Sequence, residues 1–157
     1  MILLSLLLQT TPVAPIVKGT ALPPPGSEEA AVTAPLVALL AALERSDGAA
    51  ILAQTLPDGI VTAVRTGADG QPQRRSLRWA EFAAQLKPDG ARIVERIGRP
   101  AVEIDGEVAM IWTPYTVTVD GTLSHCGYDH VDAVRTATGW KILNLTYSHR
   151  TQGCAQP

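Results

Sequence analysis

Between Glu107 and His149 the chain is written in strand-forming residues. Three runs rich in β-branched and aromatic side chains, Glu107–Val119, Thr122–Arg135 and Trp140–His149, are broken only by Asp120-Gly121 and by Thr136-Ala-Thr-Gly139. Long runs joined by turns this short dictate an antiparallel meander. Asp-Gly is a two-residue hairpin signal, because such turns need positive φ at their central positions. The meander holds two tryptophans, three histidines and a cysteine in an otherwise aliphatic protein. One of its faces has to be covered, and the other residues must supply the cover.

Upstream, Arg92–Ile97 and Ala101–Asp105 read as further strands, with Asp105-Gly106 as another hairpin signal. The helices come first. Ser27 followed by Glu28 and Glu29 is an N-cap with an acidic first turn, and Val32, Leu36, Leu39, Leu40 and Leu43 recur at helical spacing, with Pro35 as a kink or first turn. Ser46-Asp47-Gly48 ends this helix and caps a short second one running to Gln54. Pro57-Asp58-Gly59 turns into a strand over Ile60–Arg65, and Gly67–Pro72 is loop. Ser76–Leu86 reads as a third helix capped by Ser76 and anchored by Leu77, Phe82 and Leu86. The expected class is α+β, with N-terminal helices packed on one face of a strongly curved antiparallel sheet.

A length of 157 residues supports one domain, assigned to 28–157. Residues 1–27 are a signal-like segment and proline-rich linker. The apolar run Met1–Leu8 is too short to span a bilayer and close in length to a signal-peptide core, although no Lys or Arg precedes it. Gly19-Thr20-Ala21 is the nearest small-residue exit. The expected location is therefore periplasmic or secreted, without a stable membrane span. In that setting an even cysteine count favours a disulfide, and the short tail after His149 lets Cys154 fold back onto Cys126. Neither C-x-x-C nor H-x-x-x-H spacing occurs, so no metal is expected, and no cofactor motif is present. A net charge of −2 gives no footprint for nucleic acid, and Arg74, Arg75 and Arg78 read as a solvated helix entry.

Trp112-x-Pro114-Tyr115, Ser124-His125-Cys126-Gly127-x-Asp129, Gly139-Trp140-Lys141-Ile142 and the terminal Cys154 carry a resemblance. Together with helices first and long strands last, they resemble the nuclear transport factor 2-like (NTF2-like) superfamily, and within it a SnoaL-like, lumazine-binding bacterial group. The resemblance covers Glu28 to Cys154 and implies a cone-shaped fold around a pocket. Similar-looking enzymes of that fold, the ketosteroid isomerase, scytalone dehydratase and polyketide cyclase families, use a pocket Asp or His as acid or base.

Counting outward from Val119 paired with Thr122 puts Thr116 opposite His125, Trp112 opposite Asp129 and Met110 opposite Val131. On that register Met110, Trp112, His125 and Asp129 share the inward face with Val131 and Ala133. A bulge at Pro114 would instead exchange Asp129 for His130. On the last strand Trp140, Ile142, Asn144 and Thr146 share a face, which carries Asn144 and Thr146 to the same pocket. Tyr115 is assigned to its rim. Asp129 and His125 are the candidate catalytic pair, since burial moves the pKa of a carboxyl towards neutrality. The bland alternative has both satisfied by backbone groups. Three functions stay open: a small-molecule-binding domain for a hydrophobic or aromatic ligand, a cofactor-independent isomerase, dehydratase or cyclase, and a structural module that forms a homodimer through the sheet.

Overall fold

The structure, a computed structural model, describes residues 27–154. The expected signal-like segment and linker, up to residue 26, lie outside the described residues. Helix α1 spans Glu28–Glu44, and Ser27 caps it by accepting a 3.0 Å hydrogen bond from the Ala30 amide. Val32, Leu36, Leu39, Leu40 and Leu43 are buried along one side, and Pro35 lies inside the helix rather than in its first turn. Helix α2, Gly48–Leu52, is capped by Asp47, whose Oδ1 accepts from Ala50 N at 2.9 Å.

Seven strands form one sheet: β1 Ile60–Thr66, β2 Pro72–Arg78, β3 Ile93–Ile97, β4 Ala101–Asp105, β5 Val108–Val119, β6 Thr122–Thr136 and β7 Gly139–His149. The order is β2-β1-β7-β6-β5-β3, and β4 also pairs with β5. Strand β5 is long enough to take β4 along Val108–Trp112 and β3 along Tyr115–Val119. Pro114 falls between the two. Its carbonyl accepts from Gly98 N at 2.8 Å, so its ring nitrogen also points at this gap, where no ladder donor is required. Pro114 therefore causes no bulge.

The meander is antiparallel as read, but β1 runs parallel to β7, which makes the sheet mixed. A second difference lies at residues 76–86. Pro72–Arg78 is a strand paired with β1, and only Trp79–Ala83 forms a helix, α3, with the Arg78 amide donating to Glu81 Oε2 at 2.8 Å. Ser76 is therefore a strand residue, with its Oγ 2.9 Å from Thr62 Oγ1, and not a cap. The arginines of β2 belong to an edge strand, where charge discourages pairing with another chain. At the β4–β5 turn Asp105 pairs with Val108, so the central residues are Gly106, at φ 57°, and Glu107 rather than Asp105-Gly106. The Asp120-Gly121 turn matches its expectation, with φ 50° and 80°.

Two bulges set the alternation of the meander. Thr118 pairs with Leu123 but Val117 with His125, leaving Ser124 as the extra residue. Asp132 pairs with Asn144 but Ala133 with Ile142, leaving Leu143. The Leu143 carbonyl turns towards α3 and accepts a 2.8 Å hydrogen bond from Trp79 Nε1. It also lies against Gly59, where an added Cβ would be 1.7 Å from that oxygen. The concave face of the sheet, carrying Ala109, Ile111, Val131, Ala133, Ile142 and Leu145, closes over α1 and Trp79 to form the core.

Candidate functional site

The core does not fill the cone. Towards its open end a chamber of about 310 Å³ remains between α1, α3 and the sheet. Leu40, Trp79, Phe82 and Leu145 give it apolar walls, and Glu95, Tyr115, His125, Asp129 and Tyr147 bring polar groups into it. Its size and mixed lining are those of a small-molecule site.

Asp129 pairs with Thr113 on the inward face and is only 1% exposed. Its Oδ2 meets no hydrogen-bond donor among the described residues. Glu95, on β3 opposite Val117, points into the same chamber. The curvature of the sheet brings the two carboxyls close enough to perturb each other through charge and hydrogen bonding. Burial raises Glu95 to about 7, and the hydrogen bond from Asp129 lowers it in part. Asp129 is raised well above the usual carboxylate range by burial first and by Glu95 second. Two neighbouring carboxyls in a largely apolar site cannot both ionise readily, which favours a proton held between them.

His125 also faces the chamber. Its ring stacks on His149 with centroids 4.2 Å apart and meets Tyr115 edge-on, while Nδ1 lies 3.1 Å from Ser124 Oγ. Burial, with His149 adding to it, lowers its pKa to about 4, which makes the imidazole neutral at pH 7. His125 and Asp129 thus line one chamber, but the ionisable partner of Asp129 is Glu95.

Tyr115 is buried, and its hydroxyl donates to the Ser148 carbonyl at 2.9 Å, bracing β5 against β7. Burial and the two carboxyls push its pKa upward. Tyr147 stands edge-on to Tyr115 and is raised by burial, then by Glu95 and Asp129, with Arg75 acting in the opposite sense.

Four expected pocket residues lie elsewhere. Trp112 pairs with His130 and Met110 with Asp132, so both occupy the outer face. Trp112 is 37% exposed and stacks on Tyr128 at 5.2 Å. The extra residue at Ser124 moves every β5 partner by one and reverses the face of Met110 and Trp112, while Asp129 stays inward with Val131 and Ala133. The Leu143 bulge does the same to Asn144 and Thr146, replacing them with Leu145 and Tyr147. Asn144 Nδ2 donates to Asp132 Oδ2 at 3.2 Å, and Thr146 is exposed. The sequence signal for Glu95 is its period-two alternation with two apolar neighbours in Ile93-Val-Glu95-Arg-Ile97.

Cys126, buried on the outer face, is bonded to Cys154 with their Cα atoms 5.6 Å apart, an ordinary disulfide span. Among the described residues no three His, Cys, Asp or Glu side chains converge as metal ligands would, and no helix is long and apolar enough to cross a membrane.

No family model matches the sequence, and no curated protein matches it. Solved structures do match its fold. An NTF2-like protein from Cytophaga hutchinsonii is similar with a TM-score of 0.65 at 9% identity, over 79% of this chain and 99% of that one. An NTF2-like protein with a cystatin-like fold from Novosphingobium aromaticivorans gives 0.59 at 17% identity, over 79% and 82%. A protein of unknown function with a cystatin-like fold from Nostoc punctiforme gives 0.63 at 10% identity, over 80% and 92%. The chain has the NTF2-like fold.

Proposed function

We propose that this domain binds a small, largely apolar molecule in the inner chamber and moves a proton on it without a cofactor, in the manner of an isomerase, dehydratase or cyclase. The observation that carries this reading is the Glu95–Asp129 pair. A carboxyl retained for structure would have its oxygens met by amides or hydroxyls, whereas Asp129 Oδ2 meets none and sits in an apolar wall. Glu95, poised near 7, suits a general base, and Asp129, kept protonated, suits a hydrogen-bond donor to a developing oxyanion. His125, neutral and stacked, supplies shape and a weak base at the rim.

The test is a thermal-shift screen of flavin-like, pterin-like, steroid-like and other enolisable compounds. Each hit is then followed by NMR in deuterated water. Deuterium entering the ligand with the wild type and not with Glu95→Gln supports proton transfer; a hit that binds without exchange leaves a binding domain only.

Two coarser aspects belong to the same proposal. The disulfide supports work in an oxidising compartment, as in an exported protein. The exposed Trp112 on the outer face, stacked on Tyr128, supports self-association through the sheet.

A further inference from the structure

A second chamber of about 420 Å³ opens beside the first, and Val61, Phe82, Gln85 and Tyr147 belong to both walls. The two chambers therefore adjoin, with Tyr147 in the wall between them. The outer chamber has a different character. Strand pairing sets Arg75 opposite Ala63 and Arg65 opposite His149, on the inward face with Val61 and Leu77. Arg65, Arg75 and His149 line this chamber, Arg74 borders it, and no Asp or Glu does.

The arginines there are held without being neutralised. Arg65 Nε donates to Gln73 Oε1 and Arg75 Nη2 to Gln85 Oε1, each at 3.2 Å. Both acceptors are uncharged amides. Three other arginines pair with carboxylates, Arg92 and Arg96 with Glu44 and Arg135 with Glu28 and Glu107. Among the described residues Arg65 and Arg75 make no ion pair. Arg74 alternates outward on the edge strand, whereas Arg65 and Arg75, though exposed, lie on the face that lines the chamber. Oriented guanidinium groups of this kind match the oxygens of an anion.

We infer that the ligand is an amphipathic organic anion. Its anionic head is held in the outer chamber by Arg65 and Arg75, and its apolar body passes Tyr147 to reach Glu95 and Asp129. This rests on the reading of the inner chamber as a ligand site, and adds to it the class of molecule admitted and the orientation in which it enters.

The experiment is isothermal titration of the full chain with two matched pairs: 2-naphthylacetate against 2-naphthylacetamide, and octanoate against octanamide. The carboxylate of each pair should bind about tenfold tighter than its amide, as expected for charge-assisted hydrogen bonds. That preference should shrink as salt is raised. The double variant Arg65→Gln/Arg75→Gln should bind acid and amide equally while melting close to the wild type. Glu95→Gln should keep the preference, which separates the anion site from the proton-transfer pair. Equal binding of acid and amide by the wild type overturns this inference and leaves the cavity reading standing. A preference that survives the double variant also overturns it, since the anion then sits elsewhere. Absence of binding by both pairs overturns the inference together with the cavity reading.

Discussion

Two inward-facing residues on opposite sides of β5 titrate in opposite senses, and the pH dependence of stability should show both. Glu95 has its folded pKa raised from 4.5 to about 7. The native state keeps a proton that the unfolded chain releases, so stability present below the unfolded pKa is lost as pH rises towards about 7. His125 is lowered from 6.5 to about 4, so its contribution is present above 6.5 and is lost as pH falls through about 4. The two slopes oppose each other in mildly acidic solution. Asp129, also raised by burial, adds to the fall with rising pH, so urea titrations across that range should give a steeper fall for His125→Gln than for the wild type and a shallower one for Glu95→Gln. A second prediction concerns Asp129→Asn. Because burial already favours the neutral carboxyl, the amide should leave stability intact and slow the proposed proton transfer without ending it, since an amide is a weaker donor to an oxyanion. A loss of about 1–3 kcal/mol would instead mark a structural hydrogen bond.

At the scale of elements, the Leu143 bulge depends on residues far away in sequence. Trp79→Phe keeps the ring and removes the donor to the Leu143 carbonyl, and should cost about 1–3 kcal/mol in denaturant melts, since that carbonyl is left without its partner. Amide shifts along β7 should move with it. Strand existence was legible because turn residues such as Asp120-Gly121 and the β-branched runs act locally. Alternation between faces was not, because a bulge is chosen by its partners: Trp79 and Gly59 select Leu143, and nothing near Leu143 in the sequence announces them. Asp129 and His125 were placed inward correctly because Val131 and Ala133 lie on the same strand and face. Trp112 and Asn144 were misplaced because their faces were counted across a bulge. The helix expected from Ser76 differs from the structure for a related reason: Leu77 and Phe82 both reach the core, but from a strand and a helix in turn.

For the molecule as a whole, the Cys126–Cys154 bond ties the tail to the middle of β6 and encloses β7, with the two cysteines 28 residues apart. Closing a loop of that size stabilises by roughly 3–4 kcal/mol through the unfolded state. Reduction should lower the melting temperature while leaving the core intact, and alkylation before and after reduction, followed by mass measurement, reports whether the bond is made. The parallel ladder of β1 and β7 has a further consequence, in the order of events at synthesis. Val61 pairs locally with Leu77 but joins the rest of the sheet only at Leu145, and the walls of both chambers include residues of β1 and β7. Until the last strand has been made, β1 and β2 are a hairpin with no sheet to join, and the apolar side of α1 lacks much of its cover. A pairing this distant in sequence slows folding. A chain ending at Thr138 should therefore show no fixed near-ultraviolet circular dichroism signal. The last strand thus completes the walls of both chambers and the sheet together.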